Sequence, residues 1–174
     1  GLRSLIACTG VDKDRIGAYH IGFVLGPCMN ASGRLDTAKR TLDLLRAKTG
    51  KEADILAGDL KALNDSRKEM TDIAVEQARQ IVDTTKAGQD RVLVLYLPGC
   101  HESLAGIVAG RIRERYYRPA IILTDAEEGI KGSGRSIEAY NMYEELSRCR
   151  DLLTKFGGHK LAAGMSLAKE NIEE

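Results

Sequence analysis

Arg91-Val-Leu-Val-Leu-Tyr-Leu97 is a continuous β-type run, apolar from Val92 onward, and it predicts a β-strand that is covered on both faces. Pro98-Gly99 ends this strand, and residues 103–116 then follow a helical pattern. Pro119 stops the helix and opens a second buried strand, Ala120-Ile-Ile-Leu-Thr124. A strand, a helix and a strand in this order predict parallel pairing through a right-handed crossover. This unit places the chain in the α/β class.

Further elements complete a compact α/β domain over residues 89–167. Residues 131–137 predict a third strand with a glycine kink, and residues 161–167 predict a last strand. Residues 142–149 and 151–155 each predict a short helix. We therefore expect a mixed, partly parallel sheet in this domain.

The N-terminal part of the chain is predicted to be mostly helical. Residues 59–87 contain no Gly and no Pro, and apolar side chains recur there at three- and four-residue steps. This pattern predicts one long amphipathic helix, about 40 Å long if it runs unbroken from Asp59 to Lys86. Such a helix could bundle on its own core or bridge two domains, and the spacing supports both equally.

Shorter elements precede the long helix. Leu2–Ile6 predicts a helix, whereas Ile21–Leu25 fits either a short strand or the end of a helix. Residues 30–36 predict a turn that leads into a helix, with Ser32 or Asp36 as the N-terminal cap of that helix.

The composition and charge of the chain limit the ligands that it can bind and the cell compartment that its cysteines fit. The 174 residues carry a net charge of +1, so an anionic ligand would need a local pocket rather than a broad basic face. The four cysteines form no C-x-x-C pair, which predicts free buried or semi-buried thiols in a reducing cytoplasm. The longest apolar run, Val92–Leu97, is far too short to span a bilayer. Because the chain starts without Met and ends in a helix-like segment, we interpret it as a piece of a longer protein.

Two glycine-flanked polar clusters are the main functional candidates. Lys131-Gly-Ser-Gly-Arg135-Ser136 combines a guanidinium and two hydroxyls with glycines that permit close approach of a ligand to the backbone. Phe156-Gly-Gly-His159 places an imidazole after two glycines, in a predicted loop just before a strand. Together they predict a phosphate-binding pocket. The candidate residues are Ser133, Gly134, Arg135, Ser136, Gly157, Gly158 and His159.

Each cluster also has a plain structural interpretation. The first could be a glycine-kinked edge strand with an exposed Arg, and the second a Gly-Gly turn with a surface His. His101, in the turn between the first strand and the following helix, could bind an anion or simply cap that helix. Asn30 and Arg34 flank Ser32-Gly33, and Arg34 could reach a phosphate or pair with nearby acids.

Other patterns argue against a complete catalytic centre in this chain. No Asp-His-His motif and no carboxylate pair near a His is present, although a hydrolytic metal site needs several such ligands. The arginines along the 103–118 segment are interpreted as a solvated helix face. They are Arg111, Arg113, Arg115 and Arg118.

Four ordered motifs resemble the RecJ family of single-stranded-DNA-specific exonucleases, which belongs to the DHH phosphoesterase superfamily. The first is Gly26-Pro-Cys-Met-Asn30-Ala-Ser-Gly-Arg34-Leu-Asp36, and the second is Gly99-Cys-His101-Glu-Ser-Leu-Ala-Gly106-Ile-Val-Ala-Gly-Arg111. The third is Gly132-Ser-Gly-Arg135-Ser136, and the fourth is Phe156-Gly-Gly-His159 with Ala162-Ala-Gly164 after it. The resemblance covers about residues 20 to 167.

The resemblance implies a division of the chain. Residues 1–50 would be the helical tail of the DHH catalytic domain, and 51–88 the long connecting helix. Residues 89–167 would be the DHH-associated, substrate-binding α/β domain, and 168–174 the start of a following element. The catalytic domain, with its Asp-His-His motif and two Mn²⁺ or Mg²⁺ ions, would lie outside this chain, which alone would be inactive.

The resemblance also implies a function in DNA repair and recombination. Single-stranded DNA would be cut from its 5′ end, with helicases or single-strand-binding proteins as candidate partners. Arg135, Ser133, Ser136 and His159 would hold phosphate groups, with His159 in a supporting catalytic role. Two alternatives remain: a DHH phosphodiesterase for short oligonucleotides or cyclic dinucleotides, and a non-catalytic nucleic-acid-binding module.

Overall fold

The computed structural model describes residues 1–173 and confirms the α/β class with a mixed, partly parallel sheet. The helices alternate with short 3₁₀ turns, and the helical content is highest before residue 90. The α-helices are α1 (Leu2–Thr9), α2 (Ala18–His20), α3 (Gly26–Leu35), α4 (Lys39–Arg46), α5 (Gly50–Thr84), α6 (Ala105–Tyr116) and α7 (Met142–Arg148).

Five strands form the sheet in the order β1-β2-β3-β5-β4. The strands β1 and β2, which α6 connects, pair in parallel as predicted, and the other neighbouring strands are antiparallel. Because β3 lies between β2 and β5 with an unbroken register, it is an interior strand, and the edge-strand interpretation is wrong. The strands are β1 (Leu93–Tyr96), β2 (Ala120–Asp125), β3 (Ile130–Arg135), β4 (Leu153–His159) and β5 (Ala162–Leu167).

The sheet has a separate apolar core on each face. On one face, α6 and the second half of α5 pack against β1 and β2, with Leu95, Ile112 and Ile122 buried there. On the other face, Met142 of α7 packs against β2, β3 and β5, with Ile130 among its partners. Burial on both faces explains why β2 is continuously apolar. The strand β1 lies at the sheet edge and its Val94 is exposed, so the prediction that this strand is covered on both faces is wrong.

The chain divides into two compact units, Gly1–Glu69 and the part from Met70 onward. Helix α5 is 35 residues long, so it extends over about 52 Å and is longer than predicted. Its first half contributes Ala57 and Leu60 to the core of the first unit. Its second half contributes Ala78 and Val82 to the core of the second unit.

The structure corrects the predictions for residues 21–36. Ile21–Leu25 is a π-helical turn that joins α2 to α3, rather than a strand. The predicted turn over 30–36 is the second half of α3, where Pro27 is tolerated because it stands in the first turn. Neither Ser32 nor Asp36 caps α4, which begins at Lys39 without a side-chain cap.

Two further predictions fail near β4. The predicted helix over 151–155 is a 3₁₀ turn, Arg150–Leu152, followed at once by β4. His159 is the last residue of β4 rather than a loop residue. In both places pairing with β5 overrides the local helical or turn preference, since strand formation depends strongly on tertiary context.

Candidate functional site

The antiparallel register brings residues of the two glycine clusters onto one face of the sheet. Arg135 of β3 pairs with Ala162 of β5, which in turn pairs with His159 of β4. Directly paired residues project to the same face, and adjacent strands lie about 4.8 Å apart. Arg135 and His159 therefore stand in one cross-strand row, roughly 10 Å apart at their backbones. We call this row the arginine row.

A second row runs parallel to it. Ser133, Gly164 and Gly157 are paired across β3, β5 and β4. Ser133 also pairs with Ile122, whose side chain is in the core beneath α6, so this row lies on the α6 side of the sheet. We call it the glycine row.

The glycine row exposes bare backbone. A Cβ atom added at Gly157 or at Gly164 would meet no heavy atom within 4 Å. The sheet therefore presents a flat, open surface beside Ser133, on which a ligand can contact the backbone directly.

Helix α6 begins beside Ser133 and Arg135. A Cβ added at Gly106, in the first turn of α6, would lie 2.7 Å from Nη2 of Arg135 and 2.9 Å from Oγ of Ser133. The Arg135 guanidinium also donates from Nη1 to Ser133 Oγ at 3.1 Å and to the Gly134 carbonyl at 2.7 Å. Because a helix N-terminus carries partial positive charge, the guanidinium and the helix end form one cationic region.

A cavity of about 320 Å³ adjoins this region. It is lined by residues of the α6 entry and of β3 and β5, including Ser103, Ser133 and Gly164. At its edge Lys131 forms an ion pair with Glu102, with 2.7 Å between Nζ and Oε2. Hydrogen bonding to Glu102 raises the pKa of Lys131, so this lysine stays charged throughout the neutral range.

His159 is exposed at the end of the arginine row. Its Nδ1 accepts a hydrogen bond from the Leu161 backbone N–H at 3.3 Å. In the neutral ring the proton must then be on Nε2, because a ring nitrogen that accepts carries no hydrogen. His159 can therefore donate from Nε2 to an oxygen of a ligand.

Three residues of the glycine clusters have structural positions instead. Gly134 lies on the opposite face, where an added Cβ would clash with the Met142 side chain. The Ser136 hydroxyl is buried and donates to the Tyr140 carbonyl at 2.8 Å, which holds the turn after β3. At Gly158 a Cβ would lie 2.6 Å from the Ala163 Cα, so glycine is needed for β4 and β5 to pair.

Three further candidates lie outside the arginine and glycine rows. His101 is exposed and caps the 3₁₀ turn Glu102–Leu104, where its Nδ1 accepts from the Ser103 N–H at 3.3 Å. Asn30 and Arg34 are exposed on α3, four residues apart and so on one helix face, within the first unit.

Sequence reasoning did not select Gly106 and Gly164 as site residues. The available signals were a glycine inside a helical pattern and a glycine inside a strand pattern, both of which indicate close approach of another group. The pairing partner and the covering helix, which decide what approaches, depend on the tertiary fold.

The described residues contain neither a metal-binding cluster nor a membrane-spanning helix. Within residues 1–173 no group of three or more His, Cys, Asp or Glu side chains could hold a metal ion. Over the same part of the chain, no helix is both long enough and apolar enough to cross a membrane.

Comparisons with known proteins show which family the chain resembles. Residues 89–174 match the DHHA1 domain family. The whole chain aligns with the single-stranded-DNA-specific exonuclease RecJ of Bacillus subtilis at 39% identity, over 22% of that protein. RecJ of Escherichia coli is 37% identical over 99% of the chain, which spans 31% of that protein. The chain thus spans between about a fifth and a third of these relatives.

Solved structures give the same result. A RecJ structure from Thermus thermophilus in complex with Mg²⁺ superposes with a TM-score of 0.81 at 31% identity, covering 99% of this chain and 27% of that one. A structure of exonuclease RecJ bound to manganese gives a TM-score of 0.84 at 31% identity, with 99% and 42% covered. Residues 89–174 therefore carry a DHHA1 domain, within a chain that is homologous along its whole length to the RecJ single-stranded-DNA-specific exonucleases.

Proposed function

We propose that this chain is the phosphate-gripping part of an exonuclease that hydrolyses single-stranded DNA from its 5′ end. The observation that carries the proposal is the contact of Arg135 and Ser133 with Gly106 at the start of α6. A guanidinium and a helix N-terminus at one place favour a phosphate dianion or diester. The names of the RecJ relatives supply the polymer to which that phosphate belongs.

The residues of this chain would bind and orient the strand. The planar guanidinium of Arg135 matches two phosphate oxygens, and Ser133 fixes the plane of that group through its hydroxyl. His159 would donate from Nε2 to a phosphate oxygen and so support the negative charge that builds during cleavage. These contacts address the backbone of the strand and carry no base sequence information.

The open glycine row also suits a single strand of DNA. Gly157 and Gly164 let the sugar–phosphate backbone lie against the sheet without meeting a side chain. His101, at the entry to α6, and Asn30 with Arg34, on α3, are proposed as further contacts to the DNA.

The proposal includes the wider setting of the enzyme. Mn²⁺ or Mg²⁺, as in the solved RecJ structures, would be held by residues outside this chain and would activate the attacking water. The division into residues 1–50, 51–88, 89–167 and 168–174 is proposed as the tail of a DHH domain, a connecting helix, the substrate-binding domain and the start of a further element. The reaction would serve DNA repair and recombination in the cytoplasm, with helicases or single-strand-binding proteins as partners.

The test is cleavage by the full-length protein that carries this chain. We expect Arg135→Ala to lower Mn²⁺-dependent digestion of single-stranded DNA by about 100-fold, since one transition-state contact of this kind is worth that much. Arg148→Ala is the matched control, because Arg148 is exposed on α7 and pairs with Glu145. Circular dichroism should show both variants folded.

The other outcomes separate the alternatives. Wild-type rates in Arg135→Ala would overturn the assignment. Preference for a dinucleotide or a cyclic dinucleotide over a long strand would favour a phosphodiesterase of short substrates. Steeply salt-dependent binding without any cleavage, in the full-length protein with Mn²⁺, would favour a non-catalytic binding module.

A further inference from the structure

A third cross-strand row continues the face that carries the arginine row and the glycine row. Lys131 of β3 pairs with Ser166 of β5, and Ser166 pairs with Lys155 of β4. Successive rows on one face are two residues apart, or about 6.8 Å. The third row, which we call the lysine row, therefore lies about 14 Å from Arg135 and His159 along the strands.

A β-bulge shapes the lysine row. The register of β4 shifts between Leu153, which pairs with Leu167, and Lys155, which pairs with Ser166, so Thr154 is an extra residue in β4. A bulge of this kind redirects side chains that would otherwise alternate between the two faces. As a result Thr154, Lys155, Ser166 and Lys131 line one cavity of about 610 Å³. The cavity thus gathers two ammonium groups and two hydroxyls, together with the carboxylates of Glu127 and Glu128.

The two lysines of the lysine row differ in their ion pairing. Lys131 is paired with Glu102, on the side of the row nearer to α6. Lys155 is exposed and has no ion-pair partner within residues 1–173. Glu127 and Glu128 line the same cavity, and the turn that carries them precedes β3, so it lies beyond the lysine row as seen from Arg135. A phosphate would therefore be attracted to Lys155 and repelled beyond it, so the lysine row is the last of the three rows that can hold a phosphate.

We propose that the lysine row is a separate phosphate subsite, with Lys155 as its main cation. It would bind a second phosphate of the same single strand whose first phosphate lies at Arg135. This inference rests on the proposed function of the arginine and glycine rows. It adds a requirement on substrate length, because a strand must extend across three rows to occupy both subsites.

Length dependence provides the test. We would measure binding of 5′-phosphorylated, fluorescently labelled dT2 and dT8 to the 174-residue chain by anisotropy, from 50 to 200 mM salt. The two phosphates of dT2 are one internucleotide step apart and cannot reach both subsites. Lys155→Ala should weaken binding of dT8 by about three- to tenfold and lower its salt slope by about 0.7, the value for one contact to a single strand. Binding of dT2 should be unchanged.

Two control variants make the outcomes distinct. Lys86→Ala removes an equivalent exposed charge from the 3₁₀ turn after α5 and should leave the binding of both ligands unchanged. Arg135→Ala should weaken the binding of both ligands. The separate subsite is wrong if Lys155→Ala weakens the binding of dT8 no more than Lys86→Ala does. It is also wrong if Lys155→Ala weakens the binding of dT2 and dT8 equally. In both cases the proposed function stands. If Arg135→Ala also leaves binding unchanged, or if the chain binds neither ligand, the proposed function fails as well.

Discussion

Gly106 and Arg135 contact each other across the layer between α6 and β3, and the absence of a side chain at Gly106 leaves room for the guanidinium. The Cζ atom of Arg135 lies 3.3 Å, and its Nη2 atom 2.7 Å, from the point where a Cβ of residue 106 would stand. A helix residue is thus a glycine because of a side chain on a neighbouring strand. The start of α6 and the guanidinium can face one ligand together only while that space is open.

Gly106→Ala should separate stability from binding. The added methyl must displace the Arg135 and Ser133 side chains, and we expect affinity for single-stranded DNA to fall about tenfold. The free energy of unfolding should stay unchanged or rise by up to about 1 kcal/mol, because alanine favours helix over glycine. Urea denaturation and DNA-binding anisotropy measure the two effects.

Gly110→Ala is the control for this prediction. Gly110 lies in the same helix, and a Cβ there would meet no heavy atom within 4 Å. It should gain the same helical stability with no loss of affinity. Equal affinities of the two variants would contradict the role given to the space at Gly106.

Gly164→Ala and Gly158→Ala should have opposite consequences. A methyl at Gly164 projects into open space, so the protein should keep its stability and lose affinity for DNA. A methyl at Gly158 would clash with the backbone of β5, so the free energy of unfolding should fall by about 2 kcal/mol or more. Thermal unfolding distinguishes the two. A destabilised Gly164→Ala would contradict the open glycine row.

Ser136→Ala and Ser133→Ala form a second contrasting pair. Ser136 is buried, and its loss leaves the Tyr140 carbonyl without its hydroxyl donor, so unfolding should become easier by about 1–2 kcal/mol. Ser133 is half-buried in the glycine row, and its removal should lower affinity for DNA with a stability change below about 0.5 kcal/mol. Equal stability of the two variants in urea would show that the Ser136 hydroxyl does not hold the turn.

The thiols should react in an order set by burial. Burial raises the pKa of the Cys28 and Cys100 thiols, whereas Cys149 is exposed. Iodoacetamide at pH 8 should therefore modify Cys149 first, and Cys149→Ser should remove the fast phase detected by mass spectrometry.

The same shifts predict a fall of stability in alkali. Unfolded thiols ionise near pH ~8.5, while the raised pKa of the buried ones keeps them protonated to higher pH. Above that pH the unfolded chain binds fewer protons than the folded one, so the free energy of unfolding should decrease as pH rises. Urea titrations at about pH 7.5 and about pH 9.5, on either side of the ordinary thiol pKa, would measure this. Higher stability at the alkaline pH would contradict it.

The sequence by itself determined the β1-α6-β2 unit and the long helix. The two strands are short, continuously apolar runs and the helices repeat apolar residues at a helical period, so local pattern and tertiary fold agree. The same patterns also predicted that Arg135 and His159 belong to one site, although they do not show that the two residues share a cross-strand row.

Only the tertiary structure decided which member of each polar cluster faces that site. Adjacent residues of a strand project to opposite faces, and the sequence does not say which face a helix will cover. Met142 of α7 packs on the face of Gly134 and Gly158, which become packing residues, while Ser133 and Gly157 lie on the face that carries α6. The choice of face follows from register and layer packing, which join residues distant in the chain.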